Sequence, residues 1–330
     1  MQSTIEQPTT SARGLAYVGK VVELHAIPNA DRIESAVVVC GVGGRWTGVV
    51  RKGEFLIGEL CTVLLQDAIV PESDRWPFLK SCGWRIRMTR FRGVPSECVI
   101  VRGCPVVPVG TDLTSALGIT KYQKPIPAKI AGDPIGPFPS FIPKTDEPNF
   151  QRVPELVEAL LGTPYIVTEK LDGSSGTAFK WNGEFGVCSR NLQLKEGDNA
   201  YWNVANLYCL RDKLPDGYAI QFEVCGPGIQ GNPLGLKSVD GFAFNVYSIA
   251  EREYLPHGEF ERFLCKFEMP SVPIVTTGMR FGLDDDGMRA LAEGKYRSGK
   301  NREGIVIRSL DSRRVSGQRL SFKVINLLYE

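Results

Sequence analysis

The sequence predicts an α+β protein in which a small β-barrel precedes a larger domain of antiparallel sheets flanked by helices. Three observations carry that reading. Between Tyr17 and Val101, short apolar runs alternate with Gly, Pro and Asp, the punctuation of a small barrel. From Gly118 to Asn149 the chain carries seven prolines (Pro125, Pro127, Pro134, Pro137, Pro139, Pro143 and Pro148), which reads as a connector. Beyond it, helix-like and strand-like segments mix, and 330 residues at 43% hydrophobic and 23% charged give room for about two cores.

In chain order, residues 1–15 read as a polar tail, with Met1–Arg13 too rich in Thr, Ser and Gln for a signal peptide. Residues 16–117 form the barrel, with strands expected at Tyr17–Leu24, Ala36–Val42, Cys61–Leu65 and Cys98–Val101. Residues 118–149 are the semi-rigid linker, with too many rings lacking N–H for ladder or helix. The second domain, 150–330, opens with a helix set by Pro154 at its first turn and closed by Gly162. Tyr165–Lys170 is a strand, and Asn182-Gly183 joins Thr177–Trp181 to Glu184–Ser189 in a hairpin of the I′ type. Strands are expected again at Ala219–Val224, Phe242–Ile249, Gly304–Ser309 and Leu320–Ile325, and helices at Glu259–Phe267 and Asp285–Glu293.

Composition narrows the chemistry. Thirty-nine Lys plus Arg against 37 Asp plus Glu leave a net charge of +2, so affinity for nucleic acid must come from local clustering. With only His25 and His257, composition speaks against a His-based triad or multi-His metal site and points to chemistry on Lys, Arg and carboxylates. Nine Cys without a C-x-x-C, several of them in apolar runs, read as reduced thiols of a soluble intracellular protein, and no apolar run is long enough to span a membrane. Nothing points to a protein partner.

Two motifs are set aside. Gly226-Pro227-Gly228-Ile229-Gln230-Gly231 fits G-x-G-x-x-G but runs into Asn232-Pro233 where a dinucleotide site needs a helix. Gly294 to Lys300 spells G-x-x-x-x-G-K, yet Asn301 stands where Mg²⁺ needs a hydroxyl and a strand follows.

Polar groups accumulate instead at the ends of buried strands. Glu169-Lys170-Leu171-Asp172-Gly173 ends one strand, and Ser189-Arg190-Asn191 ends another. Glu223 sits inside an apolar strand, which is costly unless the charge is paired or faces a site. Glu303-Gly304 and Arg308 bracket a third strand, and period-two alternation turns Arg319, Ser321 and Lys323 to one face of a fourth. In the barrel, Arg75 to Ser96 holds Arg75, Lys80, Arg85, Arg87, Arg90 and Arg92 interleaved with Trp76, Phe78, Trp84 and Phe91 and no acidic residue, a mix suited to neutralising a backbone and stacking bases.

Lys170-Leu171-Asp172-Gly173, Ser189-Arg190-Asn191, Glu223, Phe244, Glu303-Gly304 and Lys323 resemble, in order, motifs I, Ia, III, IIIa, IV and V of the covalent nucleotidyl transferases, the superfamily of ATP-dependent polynucleotide ligases and mRNA capping enzymes. The segment Glu223–Gln230 and the strand around Phe244 look most like nick-sealing RNA ligases. The barrel segments Ile27–Glu34, Phe55–Glu59 and Arg90–Ser96 are similar to the OB-fold modules of tRNA-binding proteins. With little chain after Lys323, a C-terminal OB domain like that of DNA ligases and capping enzymes is not expected.

The resemblance implies an ATP-dependent RNA ligase that seals 3′-OH and 5′-phosphate ends, preferably at nicks in a duplex. Lys170 is then the nucleophile, with Asp172 and Lys323 as catalytic partners. The nucleotide is held by Glu169 at the base, Phe244 stacked on adenine, Glu223 and Arg190 on the ribose side, and Arg308 and Lys323 at the phosphates. A Lys amine attacks only when neutral, so a divalent cation, Mg²⁺ or Mn²⁺, is expected at Asp172, Glu223 and Glu303. RNA is expected on Arg85, Arg87, Arg90 and Arg92. The family's second motif V lysine is replaced by Ser321; either Arg319, on the same face, supplies the charge or the triphosphate is bound differently. A DNA ligase, a GTP-dependent guanylyltransferase and a non-catalytic RNA-binding protein are the alternatives.

Overall fold

The computed structural model describes residues 14–41, 44–74, 76–122 and 131–329. It comprises two compact units, Met1–Lys124 and Pro125–Glu330. Met1–Arg13 of the expected tail, Arg75, Pro125 and Pro127 lie outside the described residues.

The first unit contains β1 (Ala16–Ala26), β2 (Ile33–Val39), β3 (Arg45–Arg51), β4 (Leu60–Leu65), β5 (Ala68–Ile69), β6 (Thr89–Phe91), β7 (Val94–Ser96), β8 (Cys98–Val101) and β9 (Thr120–Lys121). Five of them form an antiparallel sheet in the order β3-β2-β1-β4-β8. The sheet curls until its edges meet: the Glu97 N–H donates to the Thr47 carbonyl at 2.7 Å, and the Val49 N–H to Ser96 Oγ at 3.0 Å. Gly48 permits the approach, because a Cβ there would lie 2.7 Å from the Ile100 side chain. Val21, Val38, Trp46, Val63 and Ile100 fill the barrel, and a second cluster under Trp76, Leu79 and Ile86 packs outside it. Leu15, expected in the tail, is buried there, and its N–H donates to Thr114 Oγ1.

The second unit contains β10 (Pro134–Pro137), β11 (Tyr165–Lys170), β12 (Ser174–Trp181), β13 (Glu184–Cys188), β14 (Leu192–Leu194), β15 (Tyr218–Cys225), β16 (Asp240–Ser248), β17 (Glu253–Tyr254), β18 (Ile274–Gly278), β19 (Gly304–Ser309), β20 (Arg314–Val315), β21 (Gln318–Arg319) and β22 (Ser321–Ile325). A seven-stranded sheet runs β10-β14-β13-β12-β15-β16-β17, and a four-stranded sheet runs β18-β11-β19-β22. Helices Ala200–Leu207 and His257–Leu264 cover one face of the larger sheet around Phe222, Val224 and Val246. Helices Pro154–Leu160 and Asp285–Ala292 cover one face of the smaller sheet, burying Val167, Ile305, Ile307, Leu320, Phe322 and Val324. By strand alternation the opposite face of the smaller sheet carries Thr168, Lys170, Arg308, Ser321 and Lys323. Asn182 and Gly183 both take positive φ (54° and 80°), which fits the I′ hairpin expected from the sequence.

The linker expectation is corrected. Thr120–Lys121 pairs with Ala68–Ile69 in the first unit, and Pro134–Pro137 pairs with Leu192–Leu194 in the second. A proline lacks the N–H but keeps its carbonyl, so proline-rich chain is tolerated on an edge strand, and β10 is the edge of its sheet. Phe138 and Ile142 are buried against Phe179 and Tyr247, so the second unit begins well before residue 150. The expected boundaries at 117 and 150 give way to one division between Lys124 and Pro125.

Candidate active site

Lys170 is the last residue of β11, and Gly304, its ladder partner, is the first of β19. That pairing sets Glu303 beside Lys170, and the ammonium donates to Glu303 Oε2 at 2.5 Å with the two side chains 25% and 21% exposed. A Cβ on Gly304 would overlap the Val324 carbonyl, so only glycine lets the three strands close at this point. Gly173 is constrained the same way: a Cβ would sit 2.7 Å from Cys225 Sγ, and its N–H acts to lower the pKa of the nearby Glu223 carboxyl. Asp172, one residue before it, accepts a hydrogen bond from the Tyr329 hydroxyl.

Three carboxylates thus surround one amine. Burial acts to lower the Lys170 pKa, but the fields of Glu303, Glu223 and Asp172 outweigh it and hold the pKa above its ordinary value. Burial pushes the Glu223 carboxyl up to about 8; Lys170 opposes that shift, while Glu303 and Asp172 add to it. The three acids do not form a ready metal cage: among the described residues no three His, Cys, Asp or Glu side chains converge closely enough to hold an ion. Glu303 is bonded to Lys170 and Asp172 to Tyr329.

Residues 163–325 match the RNA ligase family model, and residues 15–102 match an OB-fold domain. No curated protein sequence matches the chain. Solved structures of Naegleria gruberi RNA ligase do. A lysine-to-alanine mutant with ATP and Mn aligns with TM-score 0.83 and 32% identity over 94% of this chain and 97% of that one. The enzyme with PPi and a glutamate-to-alanine mutant with AMP and Mn give the same score and identity over 95% and 97%. The chain belongs to the RNA ligase family. It is a nucleotidyl transferase of α+β fold with an OB-fold domain ahead of the ligase domain.

The remaining site residues of this ligase fall into two groups. Phe244 on β16 is half-buried in the cluster of Leu171, Val272 and Tyr296, beside the Lys170 loop. Glu169 pairs with Arg302 at 3.5 Å, and burial holds its carboxyl above the usual range. Lys323 lies across β19 from Thr168, on the face that carries Lys170. The other group is tied up by the segment misread as a connector. The Asp146 carboxylate accepts from Arg190, Glu147 faces Arg308 at 3.5 Å, and the Lys323 N–H donates to the Pro148 carbonyl at 2.8 Å.

Arg308 departs from the expected phosphate contact. Its guanidinium is buried and donates to the Phe244 carbonyl at 2.8 Å, so it fixes the aromatic strand. Arg319 donates to Asn245 Oδ1 at 2.6 Å and lies 4.1 Å over the Tyr254 ring, while the Ser321 hydroxyl is buried without a partner. The guanidinium expected to replace the missing lysine is therefore committed to β16 and β17.

In the OB-fold domain the basic stretch also divides. Arg85 is paired with Asp67 at 2.9 Å and stacked 3.3 Å over Tyr122, and Trp76 is in the core. Arg87 and Arg92 are exposed, as are Phe78 and Phe91, and Arg90 is half-buried in β6. Sequence reasoning missed Tyr296, Tyr329 and Arg302. Tyr296 and Arg302 lie in or beside the Gly294–Lys300 segment, whose only visible signal was a phosphate loop with the wrong ending.

Proposed function

We propose that this ligase uses ATP to join RNA 3′-OH and 5′-phosphate ends, preferably at nicks in a duplex, through lysyl-AMP and RNA-adenylate intermediates. The observation that carries the reading is the Lys170 amine, held at a strand end against Glu303 and in the field of Glu223 and Asp172.

The oxygen donors of Asp172, Glu223 and Glu303 suit Mg²⁺ or Mn²⁺, and Glu223, which holds its proton in the free protein, would release it as the cation binds. Bound there, the cation supplies positive charge that favours the neutral amine and offsets the charge of the α-phosphate. Glu303 Oε2, already bonded to the ammonium, takes its proton. The Lys170 nitrogen then bonds to the α-phosphorus of ATP as the bond to pyrophosphate breaks, giving lysyl-AMP. Phe244 stacks on the adenine, Glu169 borders it, and Glu223 and Arg190 face the ribose, which requires Arg190 to leave Asp146. Lys323 offsets charge on the phosphate oxygens. An oxygen of the RNA 5′-phosphate next displaces the lysine, returning the amine, and the 3′-OH finally displaces AMP to form the phosphodiester.

The OB-fold domain grips the RNA backbone through Arg87, Arg90 and Arg92, with Phe78 and Phe91 offering stacking faces. The test is sealing of matched nicked duplexes under single turnover. Faster joining of an RNA 3′-OH strand than an all-DNA nick is expected; equal rates would point to a DNA ligase.

A further inference from the structure

The Gly294–Lys300 segment, whose sequence departs from a phosphate-binding loop at Asn301, has a different use in the structure. Lys295 bridges Asn301, the Tyr296 N–H donates to the Lys300 carbonyl, and the Gly299 N–H donates to the Tyr296 carbonyl, so the segment folds as a closed turn. Arg302 anchors its base. The Arg302 side chain donates to the carbonyls of Leu291, Ala292 and Glu293 at a helix C-terminus and also faces Glu169. A Cβ on Gly294 would sit 2.8 Å from that guanidinium, so the arrangement needs glycine there.

The turn delivers Tyr296, 4% exposed, to the gap where the β11 and β19 ladder ends. Lys170 and Gly304 are the last pair, and the groups just beyond them have no strand partner. One phenol oxygen serves them all. It donates to the Lys170 carbonyl at 2.7 Å and accepts from the N–H of Asp172 at 3.1 Å and of Glu303 at 3.0 Å. A hydroxyl has one proton and two acceptor lone pairs, so its capacity is fully used. Burial and the neighbouring acids push its pKa up, so it remains a donor.

We infer that the Tyr296 hydroxyl is a positioning group for lysine adenylylation, cross-linking the backbone of Lys170, Asp172 and Glu303 so that the nucleophile and its carboxylates keep one geometry. The inference rests on the function proposed above. Its logic is that attack at phosphorus needs the nitrogen held at a fixed place, and small displacements of a reacting group cost large factors in rate. A role in packing alone is served equally well by phenylalanine, since the ring faces Leu171, Cys225 and Val272.

The experiment compares Tyr296→Phe with the intact protein and with Tyr208→Phe. Tyr208 is a control because its hydroxyl donates to Asp240 at 2.5 Å and to none of the backbone groups that Tyr296 holds. Two readouts are taken: the rate of lysyl-AMP formation as ATP is varied, and amide hydrogen exchange of peptides covering 170–173 and 302–304. Tyr296→Phe should lower the saturating rate ten- to a hundredfold, leave half-saturation by ATP within about twofold, and speed exchange at Asp172 and Glu303. Tyr208→Phe should do none of these. An unchanged rate in Tyr296→Phe, a defect confined to ATP half-saturation, or unchanged exchange at both amides overturns the inference. If the intact protein forms no lysyl-AMP, the proposed function fails, and the exchange readout still decides whether Tyr296 holds the two amides.

Discussion

Replacing Glu223 by glutamine should stabilise the free protein while removing its activity. The Glu223 carboxyl is pushed from 4.5 up to about 8, with burial the main cause. The folded protein therefore holds a proton that the unfolded chain has lost throughout that interval. The unfolded state binds fewer protons, so stability falls as pH rises, by about 1.4 kcal/mol per pH unit at most. Integrated to pH 7, the carboxylate costs roughly 3 kcal/mol of stability. Glutamine keeps the shape and has no charge to desolvate. Thermal or urea unfolding of Glu223→Gln and the intact protein between pH 5 and pH 8, without divalent cation, is the assay. The two should be close near pH 5 and diverge steadily towards pH 8, with the variant the more stable. Glu169, also raised by burial, leaves a smaller slope of the same sign in both proteins. A variant that is less stable at pH 7, or a difference that does not grow with pH, would refute the reasoning.

Two further outcomes follow from the geometry. Arg308→Lys loses the hydrogen bond to the Phe244 carbonyl and should raise the ATP concentration for half-maximal adenylylation about tenfold with folding retained; titrating ATP in a single-turnover assay checks it. Arg87→Ala with Arg92→Ala should weaken RNA binding and reduce its dependence on log salt by about 2, one unit for each lost phosphate contact, whereas Arg85→Ala, which breaks the Asp67 pair, should mainly lower the melting temperature.

Part of the cluster around Lys170 was legible because several of its members answer to local rules. A carboxylate inside an apolar strand marks Glu223, strand alternation turns Lys323 to the site face, and the Asn182-Gly183 turn fixes one sheet register. The first strand missed was β3. Its Arg45 and Arg51 flank a glycine at position 48, and only the distant approach of Ile100 explains that glycine. Helix Ala200–Leu207 was missed because Ala200, Tyr201, Trp202, Val204 and Ala205 are all buried, which erases the two-faced pattern. Pro134–Pro137 was misread because proline content speaks against a central strand and says little about an edge. Arg308 and Tyr296 show the deeper limit. What each holds, the Phe244 carbonyl or the Lys170 backbone, lies 64 and 126 residues away in sequence, and no periodicity reports a partner at that distance.

The most direct test of the central claim is covalent labelling. The intact protein is incubated with α-labelled ATP or GTP and Mg²⁺ or Mn²⁺, digested, and the labelled peptide mapped by mass spectrometry. The account predicts AMP on Lys170 from ATP, no comparable adduct from GTP, and complete loss of label in Lys170→Met. Label on another residue, preference for GTP, or no adduct from the folded protein would contradict it.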